Sequence, residues 1–318
     1  MVEKIQQTLR DSAAMRWTVL LLLAFAMFCS YIFMDILSPI KDLMQSTRGW
    51  DSTAFGTMQG SETFLNVFIF FLIFAGIILD KMGVRFTAIL SGVVMLVGAT
   101  INWYAVTESF QGSGLDTWFT NNLNYIPGFD ELGISPFYKG MPASAKFAAV
   151  GFMIFGCGVE MAGITVSRGI VKWFKGREMA LAMGSEMALA RLGVASCMIF
   201  SPVFAKLGGN IDVSRSVAFG VILLLVALIM FIVYFFADKK LDAQTGEAEE
   251  KDDPFKLSDL GKIMSSMGFW LVALLCVLYY SAIFPFQKYA VNMLQCNLTF
   301  NPVDPNSFWA TNTVTIIQ

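Results

Sequence analysis

With 318 residues, of which 56% are hydrophobic and only 14% are charged, the chain is too apolar for a soluble protein, whose charged fraction is about a quarter. Its net charge of −2 carries little information, because the distribution of charge matters more than the sum in a membrane protein. The chain has no histidine, and its five cysteines show no ligand-like spacing. We therefore expect a membrane protein without a metal site, a cofactor or a nucleic-acid partner.

Apolar stretches of the length that crosses a bilayer, roughly 20 residues, recur along the chain. The first stretch is too long for the core of a cleaved signal peptide, so we interpret it as a retained anchor. The pattern predicts an all-α membrane protein with seven spans. The predicted spans cover residues 17–40, 54–79, 86–106, 147–171, 178–205, 216–237 and 267–291.

The spacing of these spans divides the chain into three parts. Residues 1–237 are predicted to form an amino-terminal six-span bundle, residues 238–266 a linker, and residues 267–318 a seventh span with the start of an eighth. Two complete bundles need more than 318 residues, so we expect a truncated chain. With the amino terminus and the linker in the cytoplasm, 13 basic residues lie inside and 7 outside, which the positive-inside rule favours.

Two long polar segments separate the spans. Residues 238–254 have the composition of a mobile tether, and residues 255–264 form either a short helix on the membrane surface or a plain solvated linker. The outside loop 107–145 is rich in glycine and proline, so it is not another span. Its aromatic side chains either anchor it at the interface, which we favour, or pack as a small cap. These side chains are Trp118, Phe119, Tyr125, Phe129, Phe137 and Tyr138.

Two opposite charges lie at similar depth in the fourth and fifth spans. Glu160 precedes Lys172 by 12 residues, which places it roughly 18 Å from the inner face. Arg191 follows Arg177 by 14 residues, roughly 21 Å from the same face. Each charge costs about 2.5–3.5 kcal/mol at a span centre and needs a partner or a water-filled cavity. The two form either a structural ion pair or, as we prefer, a substrate site that holds an ammonium and a carboxylate.

Three more carboxylates within the predicted spans are candidate functional residues. Asp35 and Glu62 lie toward the outer mouth, where they gate the cavity, bind protons or are simply exposed. Glu186 either pairs with Arg168 or faces the cavity. We keep all three as candidates for gating or proton coupling.

Small and aromatic residues complete the candidate site. The glycines of FGCGVEMAG (155–163) superficially resemble a dinucleotide fingerprint, but no strand precedes them. We interpret them, together with Gly184, as positions where helices approach closely. In the seventh span, Tyr280 and Phe284 either contact a ligand side chain or pack ordinarily.

Between the second and third spans the sequence reads GIILDKMGVR (76–85). It resembles the motif G-x-x-x-D-[RK]-x-G of the major facilitator superfamily, although Val84 stands where a basic residue is common. The resemblance implies a major facilitator fold, whose two bundles are latched at the cytoplasmic side, with Asp80 pairing with an arginine such as Arg168. The latch residues that it implies are Gly76, Asp80, Lys81, Gly83, Arg85 and Arg168.

Three further stretches narrow the resemblance. They are SYIFMD (30–35), GCGVEMAGITVSRGIVKWFKGREMALAMGSEMALARLG (156–193) and FWLVALLCVLYYSAIFPF (269–286). Together they are similar to the branch that contains lysosomal dipeptide transporters. In that branch a glutamate of the fourth span and an arginine of the fifth hold the dipeptide termini, and these fall on Glu160 and Arg191.

These observations favour a transporter of dipeptides or similar zwitterions that works by alternating access. An organic-anion or sugar-acid carrier is the alternative within transport, and a non-transporting membrane scaffold or receptor is the alternative from another class. An enzyme is not expected, because no nucleophile with a base or metal cluster is visible. The expected partners are a small solute and the lipid bilayer, with an accessory subunit left open. Residues 1–16 hold no Leu-Leu or Leu-Ile sorting pair, so we expect a bacterial cytoplasmic membrane rather than a lysosome.

Overall fold

The computed structural model describes residues 8–245 and 257–298, and every regular element in these ranges is a helix. Two compact units, Met1–Glu250 and Lys251–Gln318, divide the chain and are described separately below. Among the described residues, 6 helical segments are long and apolar enough to cross a membrane. The prediction of an all-α membrane protein is therefore confirmed.

The first span is longer than predicted. Helix α1, Ala13–Asp35, begins after Ser12, whose hydroxyl accepts a hydrogen bond from a backbone N–H of the first turn. A 3₁₀ turn, Ser38–Ile40, joins it to α2, Lys41–Arg48, past the predicted end at residue 40. Gly49 ends α2 in the left-handed conformation (φ 68°), which glycine adopts without steric cost.

The predicted second span is broken into several helices. It consists of α3, Ser52–Gly60, a 3₁₀ turn, Ser61–Thr63, and α4, Phe64–Phe68, followed by the start of α5, Phe71–Val106. Between α4 and α5, Phe70 takes a positive φ of 55°, which is uncommon for a bulky residue. The predicted span 54–79 is therefore not one continuous helix.

The predicted third span lies in the second part of α5. At Gly83 the backbone leaves the helical region (φ 81°, ψ 167°), so this glycine separates the two parts of α5. Residues 71–79 of the predicted second span and the whole predicted third span thus lie in α5, so the described residues contain six membrane-length segments instead of the seven predicted.

The loop 107–145, predicted to lie outside, forms a small cap. It contains a short helix, α6, Gly114–Asn122, and Phe119 packs with Phe110 against the start of the fourth span. Phe137 is also buried, whereas Trp118 is 49% exposed. Anchoring at the interface was therefore the wrong interpretation for Phe119 and Phe137.

Three long helices complete the first unit: α7, Ala143–Trp173, α8, Met179–Ala205, and α9, Val213–Thr245. Helix α7 packs mainly against α5, while α8 packs mainly against α1, and α9 packs against both α1 and α5. Small residues permit the close contact of α5 with α7, because a Cβ added at Gly151 would lie 2.7 Å from the carbonyl oxygen of Gly98.

Helix α9 extends into the predicted linker. It continues to Thr245, beyond the predicted boundary at residue 237, so residues 238–245 are helical rather than a mobile tether. Residues 246–256 lie outside the described part of the chain. The three-part division of the chain stays a prediction.

The second unit contains two described helices. The short helix predicted near residues 255–264 is present as α10, Leu257–Met264. It is followed by α11, Met267–Leu298, which contains the predicted seventh span. Within α11 the rings of Tyr280 and Phe284 stack, with centroids 5.0 Å apart and planes at 14°. The predicted start of an eighth span lies outside the described residues.

Candidate functional site

Glu160 lies in α7 at a partly exposed position beside two close helix contacts. A Cβ added at Gly156, one turn before it, would overlap the backbone carbonyl oxygen of Glu62. A Cβ at Gly158 would lie 2.6 Å from the Met95 side chain of α5. These glycines act as predicted, since they let α7 approach its neighbours and thereby fix the position of Glu160.

Gly163 and Gly184 make no close helix contact with the described part of the chain, since a Cβ added at either meets nothing there within 4 Å. Gly163 shares a partly exposed face of α7 with Glu160, Ile164 and Ser167, at the three- and four-residue spacing of a helix. The other helices of the first unit cover this face of α7 only in part.

Arg191 lies in α8 and contacts an aromatic ring. Its guanidinium carbon is 5.6 Å from the centroid of the Tyr31 ring in α1, within the range of a cation–π interaction. Among the described residues, neither Arg191 nor Glu160 forms an ion pair. The structural ion pair between the fourth and fifth spans is therefore not formed, because α8 packs on α1 far more than on α7.

Of the other predicted carboxylates, Glu186 in α8 is buried (5% exposed) and has no hydrogen bond or ion pair among the described residues. Its proposed partner, Arg168, pairs with Asp80. Asp35 and Glu62 are 3% and 8% exposed, so the alternative of exposed mouth carboxylates is wrong for both. Glu62 is buried because the second span lies against α7 at this residue.

Asp35 belongs to a chain of polar side chains near the carboxyl end of α1. The Ser38 hydroxyl donates to Asp35 Oδ1 at 3.5 Å, and Gln59 Nε2 donates to the Ser38 hydroxyl at 3.4 Å. Ser38 and Gln59 are buried as well. The chain links the ends of the first and second spans.

The motif at residues 76–85 has the geometry that its residues imply. Arg168 Nη1 donates to Asp80 Oδ1 at 2.6 Å, which joins α7 to the segment before Gly83. Lys81 is exposed, and a Cβ added at Gly76 meets nothing within 4 Å. The pairing of Asp80 with Arg168 is present, while the function of these residues as a latch stays a prediction.

A network of charged side chains near this motif contains two aspartates that the sequence analysis did not identify. Asp238 and Asp242 lie one turn apart in α9. Both form ion pairs with Lys172, whose Nζ lies 2.7 Å from Asp238 Oδ2 and 2.8 Å from Asp242 Oδ1. Arg85 Nη1 lies 2.8 Å from Asp242 Oδ2, and Trp173 Nε1 donates to Asp238 Oδ1 at 2.9 Å. These five residues form what we call the α9 carboxylate network. The four-residue spacing of the two aspartates was the available sequence signal.

A second group of charges joins the amino terminus to the connection between α7 and α8. Arg177 Nη2 lies 2.8 Å from Asp11 Oδ1, and Arg16 Nη2 lies 3.6 Å from Glu178 Oε2. Hydrogen bonds from Thr8, followed by the charge of Arg177, lower the pKa of the Asp11 carboxyl below its ordinary value.

A buried amide near the broken second span was also missed. Asn66 lies in α4, and its side-chain oxygen and nitrogen are both buried and have no hydrogen-bond partner within residues 8–245 and 257–298. Buried amides are nearly always paired, so this one is a local source of instability. Its isolation in the apolar run FLNVFIFF (64–71) was the signal available in the sequence.

The membrane-length helices among the described residues define the class of protein as a multi-span membrane protein. The family model described as Major Facilitator Superfamily matches residues 23–302. The chain belongs to the major facilitator superfamily.

Individual relatives are distant. The chain is 25% identical over 282 residues to "Lysosomal dipeptide transporter MFSD1" of Danio rerio, which covers 85% of this chain and 52% of the relative. It is 24% identical over 282 residues to the protein of the same name in Homo sapiens, covering 86% and 52%. To that of Gallus gallus it is 32% identical over 145 residues, covering 43% and 32%. The chain spans about half the length of the curated relatives it matches. No solved structure matches it.

Proposed function

We propose that this chain contributes one half of an alternating-access transporter for dipeptides or similar zwitterions. Glu160 holds the ligand ammonium, and Arg191 holds its carboxylate through two parallel N–H···O bonds. The observation that carries the proposal is that both side chains are partly exposed and lack an ionic partner among the described residues. The printed names of the relatives, which are dipeptide transporters, agree with it.

The energetics of unpaired charges support a ligand between them. A charge at the centre of a span costs about 2.5–3.5 kcal/mol unless it is compensated. An organic-anion carrier, in which Glu160 merely neutralises Arg191, requires the two to pair, and they do not. A zwitterion supplies the missing partner to each side chain at once.

The proposed conformational cycle uses one ion pair and three buried carboxylates of the bundle. The pair of Arg168 and Asp80 forms the first bundle's share of a cytoplasmic latch that closes one state. We place the end that carries this pair in the cytoplasm, where the basic residues are concentrated. Asp35, Glu62 and Glu186 are the candidates for gating or proton coupling, because all three are buried.

Uptake into liposomes tests the function. The complete gene product, reconstituted in vesicles, is expected to take up dialanine and to lose uptake when either terminus is neutralised, as in N-acetyl-dialanine or alanyl-alaninamide. Sugars and simple organic anions are expected not to enter. Entry of organic anions without dialanine would support the alternative carrier, and no transport with retained partner binding would support a scaffold.

Glu160→Gln separates ligand contact from folding. Dialanine binding is expected to fall at least tenfold, because the ammonium loses a charged partner, while the melting temperature stays within a few degrees of the original. Glu131→Gln, an exposed change in the outside loop, is the matched control and leaves both unchanged. A variant that fails to fold while the control folds would assign Glu160 a structural function instead.

A further inference from the structure

The guanidinium of Arg191 lies over the Tyr31 ring, with its central carbon 5.6 Å from the ring centroid. The ring attracts the cation through its π-face and offers no carboxylate oxygen to the five N–H donors of the guanidinium. An acidic partner would occupy the N–H edge, which is the edge that a carboxylate ligand needs. The tyrosine therefore compensates the charge of Arg191 without competing for the ligand.

The two helices hold this contact in register. A Cβ added at Gly193 would lie 2.5 Å from the carbonyl oxygen of Phe28, so α8 meets α1 backbone to backbone near both residues. On α1, the residues on either side of Tyr31, Ser30 and Ile32, are buried at 0% and 1% exposure. Burial of these neighbours fixes the rotation of α1 and leaves the partly exposed Tyr31 beside Arg191.

We propose that Tyr31 is a positioning residue for carboxylate recognition. It holds the guanidinium of Arg191 over its ring and, unlike an acidic partner, leaves N–H donors for the carboxyl end of the ligand. The proposal rests on the proposed function, because it takes the ligand of Arg191 to be a carboxylate. Its consequence is selective: changing the ring weakens ligands that carry a free carboxylate and spares ligands that do not.

Binding to the complete gene product tests this selectivity with two probes, dialanine and alanyl-alaninamide. Tyr31→Leu removes the ring and is expected to raise the Kd for dialanine roughly threefold to thirtyfold, while the weaker Kd for the amide stays within about twofold. Tyr31→Phe keeps the ring and is expected to stay within about twofold for both probes. Tyr125→Leu, a change of the same size at a 57% exposed loop position, is the matched control.

A series of fluorinated phenylalanines at position 31 tests the inference even if Tyr31→Leu does not fold. Phenylalanine with zero, one, two or three ring fluorines at position 31 keeps the shape and withdraws charge from the ring face stepwise. The Kd for dialanine is expected to rise with each fluorine. In an Arg191→Gln background the same series is expected to be flat, because the cation is gone.

The outcomes separate this inference from the proposed function. If the unmodified protein does not bind dialanine, the proposed function fails. If it binds dialanine but the fluorinated series is flat, or if Tyr31→Leu weakens both probes equally, Tyr31 has only a structural function and the inference is overturned.

Discussion

Replacing Asp238 by asparagine is expected to destabilise the first unit markedly. The carboxylate is fully buried and receives Lys172 at 2.7 Å and the Trp173 indole at 2.9 Å. Asparagine keeps the shape and one acceptor but removes the charge. A lost charge-assisted hydrogen bond costs about 1.5–3 kcal/mol, and an orphaned buried partner costs about 3–5 kcal/mol. Because Asp242 remains 2.8 Å from Lys172, the smaller range of about 1.5–3 kcal/mol applies.

Equilibrium unfolding in mixed micelles, followed by helical circular dichroism, measures this loss. Asp212→Asn is the matched control, since its ion pair with Arg215 is partly exposed and the residues are three apart in sequence. Such pairs contribute about 0.2–1 kcal/mol, and asparagine is an equally good residue at a helix amino terminus. Equal decreases in the free energy of unfolding for the two variants would refute the reasoning, because the contribution of a charge to stability would then not depend on its burial.

Three further changes have expected outcomes. Gly156→Leu is expected to prevent the contact with the second span and to cost at least about 1–3 kcal/mol, whereas Gly163→Ala, in open space, should change the melting temperature little. Asn66→Leu is expected to stabilise the protein by up to about 1–3 kcal/mol in the same unfolding assay, because it removes an unpaired amide; destabilisation would mean that the amide has a partner. Because its pKa is lowered on folding, the ionised Asp11 carboxyl stabilises the folded state at any pH above the pKa that it has in the unfolded chain. This stabilisation is lost as the pH falls through the pKa that it has in the folded state. The melting temperatures of the unmodified protein and of Asp11→Asn are therefore expected to converge in acid, and a pH-independent difference would contradict the contribution of its bond to Arg177.

The sequence predicted the existence of most spans because hydrophobicity over roughly 20 residues reflects the bilayer directly. Helix ends were less predictable, because they depend on contacts with other parts of the chain. Residues 238–245 have the composition of a linker, yet they continue α9. Their helical conformation coincides with the ion pairs of Asp238 and Asp242 to side chains from α5 and α7, which no local pattern reveals.

Counting residues along a helix predicts the depth of a side chain but not the direction in which it points. Depth follows from counting residues at 1.5 Å each, which placed Glu160 and Arg191 at similar levels. Direction changes by about 100° per residue and depends on which helix packs where. Adjacency in sequence suggested that α7 and α8 pack together, but α8 packs mainly on α1. The contact of Arg191 with Tyr31 instead of Glu160 is a consequence of that packing.

Under the proposed function, the separation of Glu160 from Arg191 has a consequence for ligand binding. A preformed ion pair would have to be broken before a zwitterion could bind, and breaking a buried pair costs about 3–5 kcal/mol. Separate charges avoid that cost, since Arg191 lies over an aromatic ring and Glu160 lies on a partly exposed face. In this proposal, the contact of Arg191 with α1 leaves both charges available to the ligand, which then bridges α7 and α8.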